Sequence, residues 1–348
     1  MDPLRSFVIS PEVLLLVAEV DEFKGRWQAL GNLAPERLSV LRKIATIESV
    51  ASSTRIEGVQ LSDQEVERLL AGLGRRSFGT RDEQEVAGYA DVMDMIFGMF
   101  PEMPLTENVI KQLHGMLLRH STKDERHRGH YKTVPNHVEA FDDTGRSLGV
   151  IFQTATPFET PFRMSELVAW TLDELERRTH HPLLVIGTFV VRFLAIHPFQ
   201  DGNGRLSRIL TTLLLLKAGY AYVPYASLER VVEENKDLYY LALRRAQSTQ
   251  DKDESLLGEW LTFFLRCLAA QKRSLAAKLD RERLIAPLVE LQEQILRIAR
   301  EHGRVTVRSA VALTGAKRNT VKKHLLLLVA ANHLRSFGEG RGVWYEPR

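Results

Sequence analysis

The sequence predicts a mainly α chain: a helical core interrupted by one β-hairpin, then a small winged-helix domain. Three observations carry this. Apolar residues recur at helical spacing through most of the chain. Only residues 131–160 alternate β-branched and aromatic residues around a glycine-bearing turn. Charge is also unevenly spread. The last 62 residues hold 11 Lys or Arg against 5 Asp or Glu, whereas the whole 348-residue chain has 47 against 44. The tail is therefore +6 and the remainder −3, as expected of a separate module with a different partner.

The elements follow in order. Leu38, Leu41, Ile44, Ile47 and Ala51 mark an amphipathic helix over 35–57. Residues 63–71, 83–98, 106–120, 163–179, 183–196, 205–217, 235–248 and 254–278 read as further helices, punctuated by Pro101, Pro104, Pro182 and Pro224. The hairpin turns at Asp142-Asp143-Thr144-Gly145. A boundary is expected between Asp280 and Pro287. This divides the chain into a helical region over 1–100, a core over 101–280 and a tail domain over 287–348. Within the tail, a helix over 288–302, a strand at 305–307, a helix over 309–313, a turn at Thr314-Gly315, a third helix over 319–334 and a wing over 335–345 spell a winged helix-turn-helix. Lys317, Arg318, Lys322 and Lys323 sit at the start of the third helix, where such a fold contacts DNA. The same charge also suits an acidic protein partner.

Composition excludes several classes. The single cysteine, Cys267, allows neither an intramolecular disulfide nor a cysteine-built zinc site. No apolar run approaches the ~18 residues of a membrane span. The N-terminus carries Asp2 and Pro3 where a signal peptide would be basic. A soluble cytoplasmic protein with no membrane partner is expected. His120, His127, His130, His137, His180 and His181 form no helical metal pattern and read as surface or hairpin residues, with His137 a candidate at a target groove.

The chemistry concentrates in His197-Pro198-Phe199-Gln200-Asp201-Gly202-Asn203-Gly204-Arg205-Leu206-Ser207-Arg208. This string joins an almost wholly apolar helix to one whose apolar stripe is Leu206, Ile209, Leu210, Leu213 and Leu214. Arg205 and Arg208 lie off that stripe, in the first turn. Gly202 and Gly204 let the backbone turn there with its N–H groups exposed, which favours an anion at the helix start. The string is not a P-loop. Asp201 is a hard oxygen ligand suited to Mg²⁺ beside phosphates. His197 can accept a proton near neutral pH. Together these are the parts of phosphoryl or nucleotidyl transfer.

The string resembles the signature of the Fic family, His-x-Phe-x-Asp/Glu-Gly-Asn-Gly/Lys-Arg-x-x-Arg, at every specified position. Gly129, Tyr131 and Asn136 are similar to the family's Gly-x-Tyr/Phe…Asn segment, and the hairpin resembles its flap, which holds the target's modified segment. The resemblance covers about residues 35–270. It implies a protein adenylyltransferase that moves AMP from ATP to a Ser, Thr or Tyr hydroxyl of a protein, itself included, releasing pyrophosphate. By the same resemblance His197 is the general base and Asp201 the Mg²⁺ ligand. Gly202, Asn203 and Gly204 form the anion hole, Arg205 holds the β-phosphate and Arg208 the γ-phosphate. Phe199 anchors the loop. Tyr240, second of a Tyr-Tyr pair, lines the nucleotide pocket, and Gln247 stands where some relatives place an asparagine near adenine. Relatives that move phosphate carry lysine at the position of Gly204.

Ser53-Thr54-Arg55-Ile56-Glu57-Gly58 closes the 35–57 helix, with Ser53 and Glu57 on one face and Gly58 as a helix stop. The string resembles the family's inhibitory motif, Ser/Thr-x-x-x-Glu-Gly/Asn, in the class with an N-terminal inhibitory helix, here about 35–58. That resemblance implies that Glu57 pairs with Arg208 and blocks a productive ATP pose. It also brings removal of AMP through the same glutamate, and a homodimer that tunes the brake. A second reading makes the chain a DNA-binding regulator whose core only senses nucleotide.

Overall fold

The computed structural model describes residues 2–5, 7–29, 35–72, 78–141, 147–248, 255–330, 333–338 and 342–347. The chain forms two compact units, Met1–Ser274 and Leu275–Arg348.

The first unit is helical: α1 (Pro11–Ala29), α2 (Pro35–Ile56), α3 (Asp63–Ala71), α4 (Arg81–Met99), α5 (Glu107–Leu117), α6 (Thr160–Arg177), α7 (Pro182–Ile196), α8 (Asn203–Lys217), α9 (Leu228–Glu234), α10 (Lys236–Ser248) and the first part of α11 (Ser255–His302). One antiparallel hairpin, β1 (His137–Phe141) with β2 (Ser147–Gln153), lies between α5 and α6, and its register runs from His137↔Gln153 to Phe141↔Ser147. The expected turn at 142–145 and the His137 side chain lie outside what is described. Helix starts follow capping chemistry. Ser62 with Glu65 and Thr80 with Glu83 form capping boxes, and Thr106 caps α5.

The centre is α7. Its residues from Leu183 to Val191 and from Phe193 to Ile196 are all buried, because an apolar helix has no face to give to water. It packs between α6 and α8, and Trp260 of α11 donates its indole N–H to the Gly187 carbonyl at 2.7 Å. α8 is buried from Asn203 to Leu216 except at Gly204. α2 packs against α4, α8 and α9. Arg55 fastens it there by pairing with Glu233 of α9 at 2.5 Å and Asp63 at 3.0 Å. The expected division at 100/101 thus runs inside the first unit. α1 was not among the expected helices, although Val13, Leu16, Val20 and Phe23 are buried at helical spacing.

In the second unit the end of α11, then β3 (Val305–Thr306), α12 (Val307–Thr314), α13 (Arg318–Ala330), β4 (Leu334–Phe337) and β5 (Trp344–Pro347) enclose a core of Leu291, Ile295, Ile298, Val305, Val321, Leu325 and Tyr345. The sheet order is β3-β5-β4, all antiparallel. Two expectations need correction. The helices expected over 254–278 and 288–302 are one helix. Pro287 forfeits a single i→i−4 hydrogen bond within a run of strong helix formers and does not end it. The third tail helix stops at Ala330, and Leu334 instead opens β4 opposite Pro347. Burial of Leu334 in the same core suits either element, so apolar spacing alone could not distinguish them.

Candidate active site

The loop between α7 and α8 is held by its own sequence. His197 caps α7 in the left-handed conformation (φ 51°, ψ 60°), with its N–H bonded to the Phe193 carbonyl. A non-glycine residue there is uncommon and costs energy, and such residues concentrate at functional sites. The Asn203 side chain accepts the Phe199 N–H at 2.9 Å and donates to the Phe199 carbonyl at 2.7 Å, closing the loop on itself. Its amide is therefore committed to the loop, which leaves the backbone N–H as the donor Asn203 could offer an anion. Phe199 is fully buried and stacks on His114 of α5 with ring centroids 3.8 Å apart. His114 accepts the Gly129 N–H at Nδ1 (2.8 Å), so Nε2 carries the proton that it gives the Asp201 carbonyl (3.0 Å). Burial pushes His114 down to about 4, which keeps this neutral tautomer.

His197 is likewise neutral. Burial lowers it to about 4, with the Lys132 charge adding to the effect against Leu194, Glu57 and Asp201. Its Nδ1 lies 3.2 Å from the Leu194 carbonyl. Donation there leaves the lone pair on Nε2, the arrangement a base needs.

Gly202 caps α8 at φ 78°, a conformation that glycine adopts freely. Asp201 Oδ1 accepts the Gly202 N–H at 2.5 Å and Arg205 Nη2 at 3.2 Å, while Oδ2 meets Arg81 Nη2 at 3.2 Å. Arg205 Nη1 lies 2.8 Å from Glu85 of α4, and the other Glu85 oxygen takes Arg81 Nε at 2.7 Å. Arg81, Glu85, Arg205 and Asp201 thus close a ring of alternating charge. Burial would raise the Asp201 carboxyl, but Arg205, the Gly202 N–H and Arg81 hold it below its ordinary value.

Arg208 faces the other way. Its Nε donates to Ser53 Oγ at 2.8 Å, and its Nη2 to the Ser53 carbonyl at 2.9 Å and Glu57 Oε1 at 2.8 Å. Burial opposes the Glu57 charge, yet Arg208 and then Arg205 keep that carboxyl ionised below its usual range. The carboxylate presses on the first turn of α8 so closely that a Cβ at Gly204 would collide with Glu57 Oε1. Glu57 therefore sits where the helix end and its arginine would receive a ligand anion. Tyr240 donates its hydroxyl to the Ile56 carbonyl at 3.2 Å, beside Glu57. Both atoms of the Gln247 amide are buried without a partner among the described residues.

Ser53, Glu57, His197, Asp201, Gly202, Asn203, Gly204, Arg205, Arg208 and Tyr240 thus gather around one helix end. Sequence reasoning missed Arg81, Glu85, His114 and Lys132. Arg81 and Glu85, four apart, read like any solvated helix pair, and His114 like one more scattered histidine. Lys317, Arg318, Lys322 and Lys323 are exposed on and just before α13 in the second unit.

Comparison with known proteins finds Fic proteins similar to this chain. Residues 104–215 match the Fic/DOC family model. A probable protein adenylyltransferase of Aquifex aeolicus is 30% identical over 99 residues, 28% of this chain and 28% of that protein. The protein adenylyltransferase Fic of Aedes aegypti is 36% identical over 64 residues, 18% of this chain and 13% of its own length. The chain thus spans less than a third of the curated relatives it matches. The crystal structure of a Fic family protein from Desulfovibrio desulfuricans superposes with a TM-score of 0.64 at 25% identity, over 98% of this chain and 97% of that one. A Fic domain containing signaling protein from Bacteroides thetaiotaomicron gives 0.60 at 25%, over 73% and 94%.

Proposed function

The chain is a Fic family protein, and from that premise we propose that it is a protein adenylyltransferase restrained by its own Glu57. A protein hydroxyl attacks the α-phosphorus of ATP, its proton passes to His197 Nε2, and the bond to the bridging oxygen breaks to release pyrophosphate. Arg205 meets the charge on the β-phosphate and Arg208 that on the γ-phosphate. The observation that carries this reading is the neutral His197, locked in a left-handed turn one loop away from the anion-binding end of α8. Asp201 fits a Mg²⁺ ion of the kind held by one carboxylate and phosphate oxygens, and would hold it once Arg81 yields. That ion would neutralise charge on the leaving pyrophosphate. The Tyr240 ring would border the adenine, and the Gln247 amide, without a partner among the described residues, would offer one donor and one acceptor.

The Glu57–Arg208 contact supports the restraint. While it stands, the γ-phosphate lacks its cation and the first turn of α8 faces a carboxylate. The test is incorporation of α-labelled ATP, with a γ-labelled control, into wild type, Glu57→Gly, and Glu57→Gly with His197→Ala. Labelling by the single variant that vanishes in the double variant supports transfer, base and restraint together. No α-label in a folded, ATP-binding Glu57→Gly, with or without a protein lysate as acceptor, overturns the reading.

The exposed Lys317, Arg318, Lys322 and Lys323 favour a second role, contact of the tail unit with DNA phosphates. Salt-dependent binding of duplex DNA that weakens on Lys322→Ala tests it. No binding at low salt would leave an acidic protein as the partner that suits this face.

A further inference from the structure

Lys132 lies outside the signature, yet it is 3% exposed. All three protons of its ammonium are used: on Asn136 Oδ1 at 2.8 Å, Thr154 Oγ1 at 2.9 Å and the Ile196 carbonyl at 3.0 Å. Its backbone N–H bonds the Pro198 carbonyl at 2.9 Å. One residue therefore grips the carbonyl before His197 with its side chain and the carbonyl after His197 with its main chain. Asn136 and Thr154 are the feet of the hairpin, one residue before β1 and one after β2. Thr154 donates to the Asn136 carbonyl at 2.6 Å, and Asn136 reaches on to the Phe199 carbonyl at 2.8 Å.

A buried ammonium bonded only to neutral oxygens is costly. Burial lowers Lys132 to about 8, with Glu159 opposing, so the charge persists at neutral pH. A fold that needed only packing here would be served by methionine.

We propose that Lys132 is a positioning residue for the transfer reaction: it pins both feet of the hairpin to the carbonyls of Ile196 and Pro198, the residues on either side of His197, so that the hairpin and the base move as one body. The inference rests on the adenylyltransferase reading, in which the hairpin presents the target segment. It gives that reading a missing element, a fixed distance between the presented hydroxyl and Nε2. Misplacement of about 1 Å between reacting groups costs roughly 10²-fold in rate, so a loose hairpin fails even with every signature residue intact. The pin also sets a cation beside His197, which faces Glu57 and Asp201 as well.

The test uses the full chain carrying Lys132→Met, Lys132→Arg or Thr154→Val, with three readouts. These are hydrogen exchange of the amides over 147–153, the NMR titration of the His197 ring, and AMP self-labelling in the Glu57→Gly background. Lys132→Met is expected to speed hairpin exchange and to raise the titration of His197. It should also slow labelling at least roughly tenfold at unchanged ATP affinity. Lys132→Arg, which keeps the charge, should leave His197 near its wild-type titration. Thr154→Val should loosen the hairpin without moving His197. Unchanged exchange and unchanged His197 titration in a folded Lys132→Met overturn the proposal. If that variant does not fold, unchanged hairpin exchange in Thr154→Val overturns it instead. Failure of Glu57→Gly alone to label would sink the transferase reading, while exchange and titration still decide whether Lys132 pins the hairpin.

Discussion

The catalytic loop and the end of α2 meet over the same turn of α8, but they are secured in opposite ways. The loop is tied by Asn203 within itself, by His114 stacked on Phe199 and bonded to Asp201, and by Lys132 on both sides of His197. These partners are buried, and most bonds run to backbone. Glu57, in contrast, touches the site through one oxygen on Arg208, and its side chain is 32% exposed. Removing any loop tie leaves a buried polar group unpaired. Withdrawing Glu57 leaves the buried Arg208 without its charge partner though still bonded to Ser53, a gap that an incoming phosphate could fill, and a carboxylate that water can reach. The difference teaches which part is preorganised and which is detachable: on the proposed reading, the loop that carries the base is fixed and the carboxylate that restrains it is the part able to leave.

The sharpest way to break this contrast is at the base. His197→Ala in the Glu57→Gly background should reduce AMP incorporation about 10²- to 10⁴-fold with ATP affinity unchanged. A residual rate near that of the parent would mean the loop does not position a base. Next, Glu57→Gly alone should raise labelling by at least about tenfold, since each factor of ten needs only about 1.4 kcal/mol. Equal rates would show that the contact does not restrain. Third, Glu85→Ala should lower stability by about 3 kcal/mol, read by denaturant unfolding, because Arg205 is left buried with half its charge unpaired. A loss no larger than that of a surface variant would place Glu85 among the ornaments of the site.

The smallest effect lies in the tail. His324 is 2% exposed on α13, and burial, then Lys323, lowers its pKa from the ordinary 6.5. A histidine kept neutral in the fold contributes stability that is complete above about pH 6.5 and declines as pH falls below it. Hydrogen-exchange protection over 318–330, corrected for the intrinsic pH dependence of amide exchange, should therefore fall between pH 7.5 and 5. Equal protection at both pH values would contradict the burial of a neutral imidazole.

Much of this was legible without coordinates. Apolar spacing gave most helices, since each buries one stripe, and β-branched alternation gave the hairpin. The 197–208 string announced its chemistry because base, acid, glycine turn and arginines are adjacent in the chain. Glu57 was legible only through resemblance, for nothing local reveals that Arg208 lies 151 residues away in sequence and 2.8 Å away in space. Arg81, Glu85, His114 and Lys132 were illegible for the same reason: each acts across a tertiary contact, and its own neighbourhood reads as ordinary helix or loop. Pro287 misled in the other direction, because a strong local rule was outweighed by the propensity on either side of it.

The narrow space over Gly204 reaches beyond catalysis. A side chain there would meet the tip of Glu57, a flexible group that would be displaced rather than tolerated. The residue at 204 therefore sets how closely the Glu57 carboxylate approaches the first turn of α8, and a side chain there would move that carboxylate on its bond to Arg208.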